Sequence, residues 1–411
     1  MKIAYVTQPH DAILPPRQNS IGLIIYNTAL EVARAAQVTL YLRAGTESTL
    51  GDGSPLKIAH ARSISDRLVQ MLVRRCPRVL RPSWLEKRAD AFSGWASAVA
   101  EGLRRTPVDV VHVMNYWGWS QRLRDNRVVL EMQSEWLSQM NREAVAEQLR
   151  AVHAVVAVSG HVERLFRAAF PNYDGIVDVV HNGVNTELFR PAAAAREDTD
   201  SQRLLYVGRV SPEKGVHTLL QAFEIVAARF PQARLDLVGG RGAMPMQLLV
   251  GLSDDPLVSA LQRFYQPDGS SDYPQRLDAM VRDAGLEDRV TFHSYLQHSK
   301  IISYYQNADV VVNPSLSETF GISIVEAMAC GVPVVGTRVG GMLDTIVDDV
   351  GRAIPAEDPK SLAEAICEIL DNRALASRMG ACGRERAVTN FTWSARANRL
   401  LDVYHRVCNA I

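Results

Sequence analysis

Two glutamates mark the stretch with the densest chemistry in this chain. Glu318 and Glu326 lie within Asn313-Pro-Ser-Leu-Ser-Glu-Thr-Phe-Gly-Ile-Ser-Ile-Val-Glu-Ala-Met-Ala-Cys-Gly-Val-Pro-Val-Val335. An apolar strand ends at Val312, a polar loop follows, and Gly331 and Pro333 stop a helix that begins near Gly321. The backbone N–H groups of about Phe320 to Ser323 then open a helix, where donors lack intrahelical partners and the dipole is positive, so an anion is favoured. Glu326 sits some five residues into that helix, roughly 7–8 Å along its axis. The two carboxylates can therefore address the two ends of an elongated ligand whose middle is anionic. A nucleotide sugar has that shape: hexose, diphosphate, ribose.

A second signal is Tyr206-Val-Gly-Arg-Val-Ser-Pro-Glu-Lys-Gly215, a strand, a short loop and the start of a helix. Lys214 is one of only six lysines among 45 basic residues, so its placement here is notable. A planar guanidinium from Arg209 and a mobile ammonium from Lys214 together suit a pyrophosphate. Two solvated charges in a surface loop would look the same in this fragment alone. The third signal is the first strand-to-helix junction, Gln8 to Gly22, where backbone near Gly22 could approach a phosphate. It has no G-x-G-x-x-G, so nicotinamide binding has little support.

These loops need elements to carry them. Apolar strands are expected at Lys2–Thr7, Val38–Leu42, Val108–Val113, Val128–Met132 and Ala154–Val158. Helical spacing runs through Ser20–Ala36, and Ser159 is placed to cap a helix from His161 to Ala169. Residues 191–200 are small and polar, without apolar periodicity, and read as a linker. Strand and helix then alternate again: Leu204–Val207, Val216–Arg229, Arg234–Val238, with further strands at Val290–His293, Val310–Val312 and Val334–Gly336. Alternation of this kind implies parallel sheets covered on both faces. The expected organisation is a domain over 1–190, a linker over 191–202 and a second domain over 203–392. Residues 267–274 read as an exposed loop, and Trp393–Val407 as an amphipathic helix.

Composition bounds the partners. The 411 residues are 47% hydrophobic and 22% charged, ordinary for a folded chain. Basic and acidic residues balance at 45 each, so no global field recruits nucleic acid. Within residues 1–190 there are 23 basic against 18 acidic residues. Much of that excess lies in 62–88, where Arg67, Arg74, Arg75, Arg78, Arg81 and Lys87 alternate with apolar residues. Such a segment suits peripheral contact with an anionic membrane surface, or equally a solvated helix face packed on its own domain. No apolar run approaches the ~18 residues of a membrane span, and Gln8, Pro9, His10 and Asp11 interrupt the N-terminal apolar run, so a cytoplasmic protein is expected. The five cysteines have no C-x-x-C pair, which argues against disulfide and zinc frameworks. The one D-x-D, Asp198-Thr-Asp200, falls in the linker and no metal site is expected.

Glu318-Thr-Phe-Gly321 followed by Glu326-Ala-Met-Ala-Cys-Gly-Val-Pro-Val-Val335 resembles the signature of glycosyltransferase family 4, the group 1 glycosyl transferases. His181-Asn-Gly-Val184, Gly208-Arg209 with Lys214-Gly215, Tyr304–Asp309, Gly340-Gly341 and Phe391-Thr-Trp393 fit the same family in order. The resemblance implies an α/β GT-B fold: two Rossmann-like parallel-sheet domains facing a cleft, with a C-terminal helix (393–411) crossing back to the first. It implies a retaining transfer of a hexosyl unit from a UDP- or GDP-sugar to a hydroxyl of a glycan, lipid or small molecule. Arg209 and Lys214 would clamp the diphosphate. Glu318 would hydrogen-bond the sugar, with Thr319, Phe320, Gly321 and Ile322 beside it. Glu326 would hold the ribose, and Tyr295 and Leu296 would meet the base. No cofactor and no metal are implied, since fixed positive groups supply the charge.

One residue departs from the pattern. Many members carry a histidine after the strand that here is Val128–Met132, and this sequence has Gln133. Glutamine can orient a sugar by donating and accepting hydrogen bonds, but it cannot titrate. Alternatives from other classes are a non-catalytic nucleotide-sugar binder, which Gln133 alone supports, and another GT-B enzyme such as an epimerase or phosphorylase.

Overall fold

A computed structural model describes all residues except 10, 16, 17, 44–49, 51, 52, 64, 65, 67, 69, 70, 72–91, 194–200, 254 and 411. Most of the basic segment 62–88, most of the 191–202 linker and the Asp198-Thr-Asp200 triplet thus lie outside the described residues.

The chain forms two compact units, Met1–His181 with Trp393–Ile411, and Asn182–Thr392. The first holds a seven-stranded parallel sheet of β1 (Lys2–Val6), β2 (Gln37–Arg43), β3 (Lys57–Ala61), β4 (Val110–Met114), β5 (Val128–Met132), β6 (Val152–Ala157) and β7 (Ile176–Val179), in the order β3-β2-β1-β4-β5-β6-β7. The second holds β8 (Arg203–Val207), β9 (Arg234–Val238), β10 (Val290–His293), β11 (Val310–Asn313), β12 (Val334–Thr337) and β13 (Gly351–Ile354), in the order β10-β9-β8-β11-β12-β13. Both are Rossmann-like. In the central strands β4 and β5 every side chain is buried, which is what helices on both faces require.

Three strands escape the sequence reading: β3, β7 and β13. All three are sheet edges, and none is continuously apolar (Lys-Ile-Ala-His-Ala, Ile-Val-Asp-Val, Gly-Arg-Ala-Ile). The loop expected over residues 267–274 also ends earlier than expected. Tyr273 is fully buried and begins the Tyr273–Asp283 helix, so the exposed stretch ends before it.

Residues 182–190 pack with the second unit. Val184 N–H donates to Phe391 O at 2.7 Å, and one Arg384 nitrogen donates to the carbonyls of Thr186, Phe189 and Ala329. The Trp393–Asn409 helix packs on Ser20–Val32 in the first unit, burying Arg396, Ala397, Leu400, Val403, Tyr404 and Val407 along one stripe.

Arg396 is the unusual member of that stripe, a charge buried in a core. Its Nη2 lies 2.5 Å from Glu131 Oε1 on β5, its Nε donates to Thr28 Oγ1 at 2.8 Å, and its Nη1 reaches the carbonyls of Val180 and His181 at 3.2 Å. His112 on β4 lies 3.1 Å from the other Glu131 oxygen. Its Nδ1 shares a hydrogen bond with the Tyr404 hydroxyl at 2.8 Å, and Tyr404 with Tyr5 at 2.9 Å. Burial raises the pKa of Glu131, but the Arg396 charge and the adjacent His112 outweigh it and bring the group from 4.5 down to about 2.

Removing one partner of a buried pair strands the other charge. Arg396→Ala is expected to cost about 3–5 kcal/mol, read as a lower urea midpoint at unchanged slope. Because the Glu131 pKa is depressed on folding, the unfolded chain takes up that proton first. Its contribution is present above pH 4.5 and is lost as pH falls towards about 2, a loss that Arg396→Ala should abolish in acid unfolding curves.

Candidate functional site

In the second unit the two loops singled out in the sequence are stitched together. Gly215, with φ +65°, caps the Val216–Arg229 helix, and a Cβ there would lie 2.0 Å from Pro314 O. Only glycine allows that turn to press against the loop after β11. Leu316 N–H donates to Glu213 O at 2.8 Å, completing the seam.

The seam brings Lys214 to Glu318. The Nζ to Oε2 distance is 2.8 Å, and both side chains are largely buried. The Glu318 carboxylate also receives the Phe320 N–H and the Asn313 side chain. Burial pushes its pKa up, yet Lys214 and these donors prevail and hold it below the usual carboxylate value. Glu318 is therefore an anion at neutral pH. Its backbone is fixed from the other side: Gly341 N–H donates to Glu318 O at 2.9 Å, and Gly340 has φ +51° with its Cβ position 1.9 Å from that oxygen.

Immediately after Glu318, Thr319 and Phe320 lead into Gly321, Ile322 and the Ile322–Ala329 helix. Phe320 is buried edge-on against Phe391, which anchors the helix start. Arg209 follows β8 with its guanidinium half exposed, 3.9 Å from Glu213, while the Tyr206 hydroxyl donates to Arg209 O at 2.6 Å. The anchored backbone and the exposed head leave Arg209 a cation with reach.

Glu326 is buried one turn into the helix, and each of its oxygens has a partner. His298 Nε2 lies at 2.6 Å from Oε1, and Tyr305 donates its hydroxyl to Oε2 at 2.6 Å. Burial alone lowers the His298 pKa, but Glu326 reverses this and raises it above 6.5. The ion pair is thus fully present below that pH and fades as pH rises through the raised value. Tyr295 is 72% exposed between β10 and the His298–Asn307 helix, with Leu296 beside it. A separate cavity lined by Arg203, Asp236, Ser303, Tyr304 and Asn307 includes none of these predicted residues.

The other two predicted residues lie in the first unit. Gln133 follows β5, its N–H donating to Asn115 Oδ1 at 2.7 Å and its Nε2 to Glu131. Gly22 lies in the first turn of the Ser20–Val32 helix, and its N–H donates to Asn19 Oδ1 at 2.7 Å. A Cβ there would meet Ala12 O at 1.8 Å, so close packing on that backbone already requires glycine. Among the described residues no group of three His, Cys, Asp or Glu could hold a metal ion, and no helix is long and apolar enough to cross a membrane.

Residues 185–386 match the family model for Glycosyl transferases group 1, and residues 22–188 match that for Glycosyltransferase Family 4. The chain belongs to the group 1 glycosyl transferases. Among similar relatives of this group 1 chain is D-inositol 3-phosphate glycosyltransferase 2 of Catenulispora acidiphila, 34% identical over 239 residues, which are 56% of this chain and 51% of that protein. The D-inositol 3-phosphate glycosyltransferase of Xylanimonas cellulosilytica is 28% identical over 78% of this chain and 70% of its own. The chain spans about half the length of the curated relatives it matches first. The sucrose-phosphate synthase of Thermosynechococcus elongatus shares the fold over the whole of both chains, with TM-score 0.73 and 23% identity. Anabaena HepE, solved in complex with UDP, does so at TM-score 0.69 and 19% identity, over 99% of this chain and all of its own.

Sequence reasoning on this group 1 chain missed His298 and the positioning roles of Glu213 and Asn313. His298 lies two residues after Leu296, a spacing that placed it near the predicted base contact. Gly340 supplies a test of the whole arrangement. Gly340→Ala forces a side chain into the Glu318 carbonyl at positive φ, a strain of order 1–3 kcal/mol. It should lower thermal stability and shift the amide signals of Glu318–Gly321 in NMR spectra, although no charged group has been removed.

Proposed function

We propose that this chain transfers a hexosyl unit from a nucleoside-diphosphate sugar to a hydroxyl acceptor with retention of configuration and without a metal. The Lys214–Glu318 pair at the head of the Ile322–Ala329 helix carries this reading. An ammonium has three donors, so Lys214 can keep Glu318 and still donate to a diphosphate. Arg209 adds a planar fork, and the helix N-terminus adds its unpaired donors. Together they stabilise the charge that grows on the leaving diphosphate. Glu318 accepts from a sugar hydroxyl, and Glu326 takes a ribose hydroxyl in exchange for, or beside, its contact with His298. Tyr295 and Leu296 lie alongside the base.

In the reaction, the bond from the anomeric carbon to the diphosphate oxygen breaks and the acceptor oxygen bonds on the same face. The acceptor's proton passes to the departing diphosphate, so no protein carboxylate need carry the sugar. The relatives' names make an inositol phosphate the first acceptor to assay. The acceptor reading otherwise stays at a hydroxyl of a glycan, lipid or small molecule.

Donors are found by thermal stabilisation, because binding shifts the folded population by mass action. UDP or GDP should raise the melting temperature. Arg209→Ala and Lys214→Ala should each weaken that nucleotide by about 1.5–3 kcal/mol in calorimetry, the scale of charged hydrogen bonds. Unchanged affinity in both would sink the phosphate assignment. Glu318→Gln should mainly lower turnover and Glu326→Gln mainly weaken binding. Turnover should survive excess EDTA, and NMR of the product should show the donor's own anomeric configuration.

A further inference from the structure

Asp236 stands where a parallel sheet has little use for an acid. It is the middle residue of β9 (Arg-Leu-Asp-Leu-Val), an interior strand paired with β8 on one side and β10 on the other. Strands of this kind are usually apolar on both faces. Leu235 and Leu237 follow that rule and are buried in the core, but Asp236 lies on the opposite face and is only half-buried. On that face His293 Nε2 of β10 lies 2.6 Å from Asp236 Oδ1. The Tyr304 hydroxyl lies 3.4 Å from His293 Nδ1, with the two rings edge to face at 4.9 Å. An imidazole that donates from Nε2 to the carboxylate leaves Nδ1 to accept from Tyr304. Register places Leu205 of β8 opposite Asp236, and Arg203, two residues earlier, shares the face. The Arg203 backbone is pinned, its N–H donating to Asp309 Oδ2 at 2.7 Å and its carbonyl accepting the Asp309 N–H at 2.8 Å.

Between these strands and the His298–Asn307 helix is a cavity of about 270 Å³, lined by Arg203, Leu205, Asp236, Ser303, Tyr304 and Asn307. The lining selects a ligand class. Arg203 favours an anion and Asp236 a cation, so together they oppose a ligand of single charge. A guanidinium only donates and a carboxylate only accepts, while the hydroxyls of Ser303 and Tyr304 do both. A ligand that matches them donates and accepts at several neighbouring points, as a row of hydroxyls does. Leu205 and the Tyr304 ring add an apolar patch for C–H groups. The volume falls just below the roughly 300–1,000 Å³ of sites for drug-sized ligands, which leaves room for one ring and not for a nucleotide. We propose that this cavity is a second ligand site, within the second unit and apart from Lys214 and Glu318, that takes a single uncharged six-membered ring carrying several hydroxyls, a hexopyranose or a cyclitol. Asp236, oriented by His293, accepts from the ring hydroxyls, and Arg203 donates to their oxygens. The proposal is independent of the glycosyl-transfer reading and stands or falls on binding alone.

The test titrates the full chain with glucose, mannose and myo-inositol, and separately with inorganic phosphate and serine, following the backbone amides by NMR. A hexose or myo-inositol should shift the amides of residues 203–205 and 303–308 with a dissociation constant in the millimolar range, and the separate arms tell hexose from cyclitol. Asp236→Asn and Arg203→Met should each weaken that binding by about tenfold, the loss of one charged hydrogen bond. Asp236→Asn keeps the shape of the side chain and a polar partner for His293, and Arg203→Met changes an exposed position, so urea midpoints near the wild-type value are expected for both. Absence of any shift at these amides with all three rings, or shifts that survive both substitutions, overturns the proposal. So does a site that responds to phosphate or serine and not to the rings.

Discussion

The buried pair of Glu131 and Arg396 is the constraint that orders the first unit. Two charges taken out of water cost several kcal/mol each, and mutual attraction offsets that only where the remaining donors and acceptors are also met. Here they are met. Thr28, Val180 and His181 take the other guanidinium nitrogens, and His112 and Gln133 attend the carboxylate. One ion pair thereby fixes the register of β5, the first helix, the end of β7 and the C-terminal helix. An apolar pair could hold these elements together as tightly, but it would not dictate which hydrogen-bonding atoms emerge at the end of β5.

The second unit uses the same device nearer the surface. Lys214 and Glu318 are largely buried, not fully, and two glycines let the backbone close around them. The difference in depth matches the difference in work. A pair that only organises can be sealed in the core, whereas a pair proposed to meet a ligand has to keep donors to spare. Glu326 shows a third arrangement, a buried carboxylate whose two oxygens are taken by His298 and Tyr305.

Much of this was legible in the sequence. The alternation of apolar strands with helices gave two parallel sheets, and Ser159 caps its helix as expected. The loops carrying Lys214 and Glu318 stand out by residue type and spacing, although the Arg209–Lys214 fragment alone reads equally as two solvated charges in a surface loop. The edge strands β3, β7 and β13 were not legible, since an edge exposes one side and so tolerates polar residues at positions a buried strand would fill with valine. Nor was the pairing of Glu131 with Arg396, 265 residues apart. One of three arginines in an amphipathic helix, Arg396 reads as a surface charge like Arg399 and Arg406, and nothing local says that its partner waits inside a distant sheet. In the sequence Gly22 reads as a glycine near a helix start, whereas its closest constraint in the structure is the carbonyl of Ala12.

The first unit is discontinuous, and that has a consequence for its synthesis. Asn182–Thr392 is a single stretch, so every contact it needs is available once residue 392 has left the ribosome. The first unit, begun earlier, must wait for Trp393–Ile411. Until then Glu131 has no guanidinium, Tyr5 has no Tyr404, and the Ser20–Val32 helix has an uncovered apolar face. Domains ordinarily mature from the N-terminus during translation. In this chain the last nineteen residues complete the first, so the order of maturation is reversed, and a chain truncated near its end would carry a finished second unit beside a first that cannot close.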